Sequence, residues 1–232
     1  MTTVGDRPVR EGQAHKRAAI LAAARELFVQ TGVERTSMDA VAALAGVSKR
    51  TVYDYYGDKR RLLLGVVEDA GERALATLRG LVAQHLDDAG ITDVADLDEA
   101  LTALAADLGR SLLLSSDYLA AVRLINENEP LLPELDDHPL DEAHAQVLSE
   151  RVGRFARAGL LDAEDPDLAA AHFHALTALR VLNEPARRRA ESAHVRRIMT
   201  DGARAFVRAY GVRDGAGGRT PGTARSSRCS PT

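Results

Sequence analysis

The sequence predicts an all-α protein, with a small three-helix unit at the N-terminus and a larger helical domain behind it. Ala, Leu, Arg and Glu dominate the composition, and these are strong helix formers. No segment alternates polar and apolar residues for long enough to make a strand. Glycines at 32, 46, 57, 159 and 211 punctuate the apolar stripes where helices would stop.

Residues 1–13 mix Gly, Pro and charges and read as a flexible arm. In the helix expected at 14–31, Ile20, Ala23, Ala24, Leu27 and Phe28 repeat at the spacing of a buried stripe. A second helix is expected at 37–45, with Thr36 and Asp39 at capping-box spacing. Ser48 then caps a short third helix that runs to Tyr56, and Gly57 closes it. Asp58 opens a long helix to residue 85, and Asp96 with Glu99 opens another to Leu114. Asp117 starts the next, which Pro130 and Pro133 must bend or end. Pro139 suits a first helical position for a helix to Ala158, and Asp165-Pro166 suits cap and first residue for a helix to Leu182. The last helix covers 194–210. Residues 211–232 are poor in apolar residues and rich in Gly, Arg, Ser and Thr, which reads as a disordered tail. The expected division is therefore arm 1–13, small unit 14–60, larger domain 61–210 and tail 211–232.

At 45% hydrophobic and 28% charged, the 232 residues suit a soluble globular chain. No apolar run approaches the roughly 20 residues that span a bilayer. Charges interrupt every candidate signal peptide in the first 30 residues. Cys229 stands alone, so an intrachain disulfide is excluded and a cytoplasmic location is expected. The net charge of −4 hides an asymmetry. Residues 1–65 carry 11 Lys and Arg against 7 Asp and Glu, whereas residues 66–212 carry 15 against 26. A basic unit on an acidic body suggests that the unit meets a polyanion.

Within that unit, 47-VSKRTVYDYYGDKRRLL-63 concentrates cations and aromatic hydroxyls. Three short helices with glycine turns fit a helix-turn-helix. Val41, Leu44, Val47, Val52 and Tyr56 would form its small core. Lys49, Arg50, Thr51 and Tyr55 would then face outward from the half of the third helix that enters a major groove. Lys49 and Arg50 can donate to guanine or phosphate, and Thr51 can bond phosphate or touch a thymine methyl. Tyr53 and Tyr55 offer hydroxyls, and Lys59 can clamp the DNA backbone.

These residues carry a resemblance. The stretch 36-TSMDAVAALAGVSKRTVYDYYGDKRRLL-63, preceded by 18-AAILAAARELFVQTGVERTS-37, resembles the N-terminal domain of TetR-family transcriptional regulators. Tyr55 stands where that family commonly has His, and Tyr56 where it has Phe. The resemblance implies a DNA-facing set of Ser37, Ser48, Lys49, Arg50, Thr51, Tyr53, Tyr55 and Lys59. Ser37 and Thr51 would meet phosphates, Tyr53 and Lys59 would hold the backbone, and Lys49, Arg50 and Tyr55 would face bases. A looser similarity covers 121-AVRLINENEPLLPEL-135 and 150-ERVGRFARAGLLDAEDPDLAAAHFHAL-176, toward one type of C-terminal domain in that family.

The resemblance further implies a homodimer built on the last two helices, with Phe173, Leu176, Ile198, Phe206 and Tyr210 as the interface. It implies a repressor released from a double-stranded DNA operator by a small-molecule effector; an activator, or a ligand-binding dimer without an operator, is the alternative. Few aromatics lie in 96–182, so the effector is expected to be apolar or amphipathic. Arg123, Asn126, His172 and His174 are its polar candidates, each also readable as a core or surface residue. Asp136, Asp137, His138 and His144 match no metal template, so neither metal nor cofactor is expected. The run 187-RRR-189 reads as a solvated face. Arg7 and Arg10 could reach a minor groove. No nucleophile elbow or phosphate-binding loop points to an enzyme.

Overall fold

Helical propensity and apolar spacing produce eleven α-helices in the computed structural model, which describes residues 7–87, 89–135 and 139–213. They are α1 (Arg7–Thr31), α2 (Met38–Ala45), α3 (Lys49–Tyr56), α4 (Lys59–His85), α5 (Val94–Leu108), α6 (Ser116–Asn128), α7 (Pro139–Arg157), α8 (Pro166–Leu176), α9 (Ala178–Leu182), α10 (Ala186–Arg189) and α11 (Ser192–Tyr210). Among the described residues the β-structure is one isolated antiparallel bridge, between Leu161 and Gly211.

Several boundaries differ from expectation, each for a local reason. α1 begins at Arg7, so residues 7–13 are helical rather than part of an arm. Ser37, not Thr36, caps α2: its hydroxyl accepts from Ala40 N. Thr36 is buried instead and donates to Gly32 O at 2.8 Å. Asp93 caps α5, while Asp96 reaches back to the Thr92 amide and hydroxyl. Those two bonds hold the Asp96 carboxyl below the usual carboxylate range. α5 then passes into a π-helical turn, Gly109–Leu113. A Cβ on Gly109 would lie 3.0 Å from Met199 of α11, so glycine admits α11 at this turn. The α8 helix breaks at Thr177, whose hydroxyl turns back to Phe173 O at 2.6 Å. There the Leu176 carbonyl comes so close to α11 that a Cβ on Gly202 would sit 2.2 Å from it.

The 3₁₀ turns Glu129–Leu131 and Pro133–Leu135 follow α6, as its prolines require. After α11, Val212 N donates to Leu160 O at 3.1 Å, so the expected tail begins with an ordered bridge. Residues 214–232, including Cys229, lie outside the described residues, as do Asp136, Asp137 and His138.

Two apolar cores result. The first packs Ile20, Phe28, Val41, Val52, Leu62 and Leu63, and it also takes in Leu124 and Leu132. The second joins α4, α5, α7, α8 and α11 through Leu97, Leu104, Phe155, Phe173, Met199 and Phe206. Each fully buried Leu or Phe stabilises by about 1.5–3 kcal/mol relative to exposure. α6 therefore belongs to the larger domain by sequence and to the N-terminal core by packing. Arg25 of α1 pairs with Asp117 of α6 at 3.1 Å, and Arg60 of α4 with Glu134 at 2.5 Å.

Candidate nucleic-acid interface and helical cavity

The turn between α2 and α3 is built by two residues. Gly46 takes the left-handed conformation (φ 68°), which closes α2 at no steric cost. Ser48 then accepts from Thr51 N at 3.0 Å, and its hydroxyl is 2.8 Å from that of Thr51. Val52 is fully buried beneath α3, and Val41 beneath α2. Leu44, expected in this core, is instead 49% exposed, because α2 turns that side to solvent.

The outer side of α3 carries the expected cations and hydroxyls. Lys49 pairs with Asp39 of α2 at 2.8 Å and sits 5.9 Å from the Tyr53 ring centroid. The hydrogen bond to Asp39 and its charge hold the Lys49 ammonium above the ordinary lysine range. Arg50 reaches Asp54 only at 3.8 Å, with its side chain 91% exposed. Tyr53 is exposed, and the Tyr55 hydroxyl donates to Gln13 O at 3.3 Å. Lys59 donates to Glu34 O at 2.7 Å and Thr36 O at 3.2 Å, tying the start of α4 to the α1–α2 connection. An ammonium has three donors, so one remains.

A cavity of about 990 Å³ opens between α4, α6, α7 and α8, beside the π-helical turn and Met199. Its walls are mostly aliphatic, including Ala74, Leu78, Leu108 and Leu113. Asn126 and His174 line it, as expected. His174 is accessible through the cavity, yet the surrounding protein pushes its pKa below the ordinary histidine value, and His144 adds to the effect. Arg123 and His172 do not line the cavity. Arg123 points to solvent and pairs with Glu127 at 2.6 Å. His172 is on the outer side of α8, with Nδ1 2.5 Å from the Tyr210 hydroxyl. Sequence spacing missed the lining carboxylates Glu68, Glu129 and Asp167, because residues distant in the chain converge there.

The expected dimer residues divide. Phe173 and Phe206 are 2% and 0% exposed and meet edge-to-face inside one protomer, with ring centroids 5.4 Å apart. Tyr210 stacks on Phe206 at 4.8 Å, and Ile198 packs on the same core. The apolar stripe of α11 thus faces its own protomer, so Phe173 and Phe206 are corrected to core residues. Leu176 remains outside, 39% exposed, with Leu168 at 51% and Leu179 at 43% on the α8–α9 run.

An exposed, basic, serine-capped α3 behind a glycine turn defines a helix-turn-helix regulator. Comparison with known proteins specifies the class. Residues 20–66 match the model of bacterial regulatory proteins of the tetR family, and residues 99–212 match that of the AefR-like transcriptional repressor C-terminal domain. The chain belongs to the TetR family, whose members are transcriptional regulators and not enzymes. Among curated relatives, the DNA-binding transcriptional repressor TetR of Mycobacteroides abscessus is 41% identical over 51 residues, which is 22% of this chain and 27% of that protein. The matched segment thus spans about a quarter of that relative's length. Among solved structures, a TetR-family regulator of Mesorhizobium loti aligns with a TM-score of 0.73 at 26% identity, covering 86% of this chain and 98% of that one. The flavonoid-responsive regulator FrrA aligns at 0.56 and 25% identity, covering 86% and 99%. Among the described residues, no helix is long and apolar enough to cross a membrane.

Proposed function

We propose that this chain is a cytoplasmic, homodimeric repressor that leaves a near-palindromic operator when a small molecule enters the cavity. The observation that carries the reading is the outer side of α3. Lys49, Arg50, Tyr53 and Tyr55 are exposed together there, on a helix whose N-terminus the Ser48 cap holds in shape. Arg50 and Lys49 read base edges, with Tyr55 beside them. Ser37, Ser48, Thr51, Tyr53 and the remaining Lys59 donor meet phosphates. The small unit ends near residue 60 and the effector and dimerisation domain follows it.

Two helices link cavity to DNA. α4 contributes Leu62 and Leu63 to the N-terminal core and Ala70, Ala74 and Leu78 to the cavity wall. α6 contributes Leu124 to that core and Ala121, Ile125 and Asn126 to the wall. A ligand that shifts either helix shifts α3. The coupling is reciprocal, so operator DNA weakens effector binding by the same factor, typically about 1–3 kcal/mol. The repressor name of the mycobacterial relative supports the sign, and the name of the flavonoid-responsive neighbour supports ligand response. Leu168, Leu176 and Leu179 are the proposed two-fold face, because one short recognition helix reads too few base pairs alone.

Selection of bound sequences from random DNA at physiological salt tests the reading. A near-palindrome with half-sites about one helical turn apart is expected. Recovery of no enriched site by the folded protein would favour a ligand-binding dimer without an operator.

A further inference from the structure

The run from Asp162 to Arg189 separates its charges. Asp162, Glu164, Asp165 and Asp167 open it, residues 168–179 contain no Asp, Glu, Lys or Arg, and Arg180, Arg187, Arg188 and Arg189 close it against Glu184. α11 runs antiparallel to this stretch: Tyr210 meets His172, Gly202 lies against Leu176, and His194 meets Glu184 at 3.1 Å. The first end also holds Arg157, Arg208 and Arg213, with Asp93 and Asp96 from the start of α5, whose Val94 abuts Gly211. The second end gains Arg196 and Arg197, against Glu191. One end is therefore acidic and the other basic. Asp162, Glu164, Arg187 and Arg188 are exposed and form no ion pair with another described residue.

Between the ends, Leu168, His172, Ala175, Leu176 and Leu179 are exposed at the spacing of one helical face. Reversing the chain direction about a point between Phe173 and His174 exchanges Leu168 with Leu179 and His172 with Ala175. An isologous contact requires this symmetry, since residue i meets j and j meets i. The charges then select the orientation. A parallel copy would set carboxylates on carboxylates and arginines on arginines, whereas an antiparallel copy sets each acidic end on a basic one. Opposed like charges disfavour the first arrangement, and unlike charges fix the register of the second.

We infer that a second copy of this chain lies antiparallel across the stripe, on a two-fold axis near residues 173 and 174, with Asp162 and Glu164 of one protomer facing Arg187 and Arg188 of the partner subunit. This rests on the reading of Leu168, Leu176 and Leu179 as the two-fold face, and it states how the two copies are turned.

Sedimentation equilibrium of the full-length protein tests it with two variants. Asp162→Lys/Glu164→Lys makes the acidic end basic, and Arg187→Glu/Arg188→Glu makes the basic end acidic. Each variant alone should dimerise about tenfold more weakly than wild type at low salt, and the loss should shrink at high salt. Mixed, the two should recover wild-type affinity as a heterodimer, because unlike ends face each other again. Only folded chains can recover it, so restoration also excludes misfolding. Unchanged dimers from either variant, or weakened dimers that mixing does not restore, overturn the inference. Leu179→Glu separates this result from the reading beneath it. If it dissociates the dimer while the charge variants do not, the leucine face stands and the antiparallel register falls. A wild-type chain that stays monomeric removes both.

Discussion

The α3 surface and the cavity wall treat polar side chains in opposite ways. On α3 they face water, and their partners are near and exchangeable: Asp39 for Lys49, Asp54 for Arg50, Gln13 O for Tyr55. In the cavity they stand among mostly aliphatic side chains such as Ala74, Leu78 and Leu108. Exposed ion pairs stabilise by about 0–1 kcal/mol, so α3 can give up its internal partners when a phosphate arrives. A carboxylate in a partly enclosed space has stronger interactions and fewer alternatives. One surface is suited to exchanging partners and the other to receiving an apolar body.

The largest break in this comparison comes from the core between them. Phe206→Ala should lower protomer stability by about 3–5 kcal/mol, measured by urea unfolding, because Phe206 is fully buried against Phe173 and Tyr210. A change below 1 kcal/mol would return Phe206 to the outer face. Next, Arg50→Ala should reduce discrimination between selected and mutated operator by about 1–3 kcal/mol if it reads guanine. Equal loss on both DNAs, in a competition gel shift, makes Arg50 a phosphate contact.

Asp39→Asn should act in the opposite direction. Freed from its carboxylate, Lys49 need not break a pair to meet DNA, and affinity should rise slightly at low salt. Unchanged affinity across a salt titration would show that Lys49 keeps Asp39 on the operator. The smallest effect is a pH dependence. The folded-state pKa of His174 lies below the ordinary value of 6.5, so the unfolded chain takes up the proton more readily. The contribution is complete above that pH and is lost as pH falls through it toward the folded value. Thermal melts across this window should show a drop that His174→Gln flattens.

The helix-turn-helix was legible because its signals are local. Gly46, Ser48, Gly57 and Asp58 act within three or four residues, and each caps or closes the expected helix. Leu44 and Thr36 escaped that logic, since which side of α2 faces α1 is a matter of packing. The larger domain was legible as helices and less so as surfaces. Periodicity found the stripes of α8 and α11 without saying what they face, and Phe173 and Phe206 went to the protomer core. Arg123 and His172 show the same limit: a polar residue on a helix has several neighbours to choose from.

The chain order of residues, by itself, determined the all-α class, most helix ends, the basic α3 and the family, because propensity, capping and charge act over one or two turns. Tertiary structure alone decided the rest. It decided that α6 shares a core with the N-terminal unit and that α11 approaches α8 closely enough to require Gly202. It also decided that residues of α4, α6, α7 and α8 line one cavity. Those outcomes depend on which faces meet across long separations in the chain, and helical spacing carries no information about the identity of the opposite face.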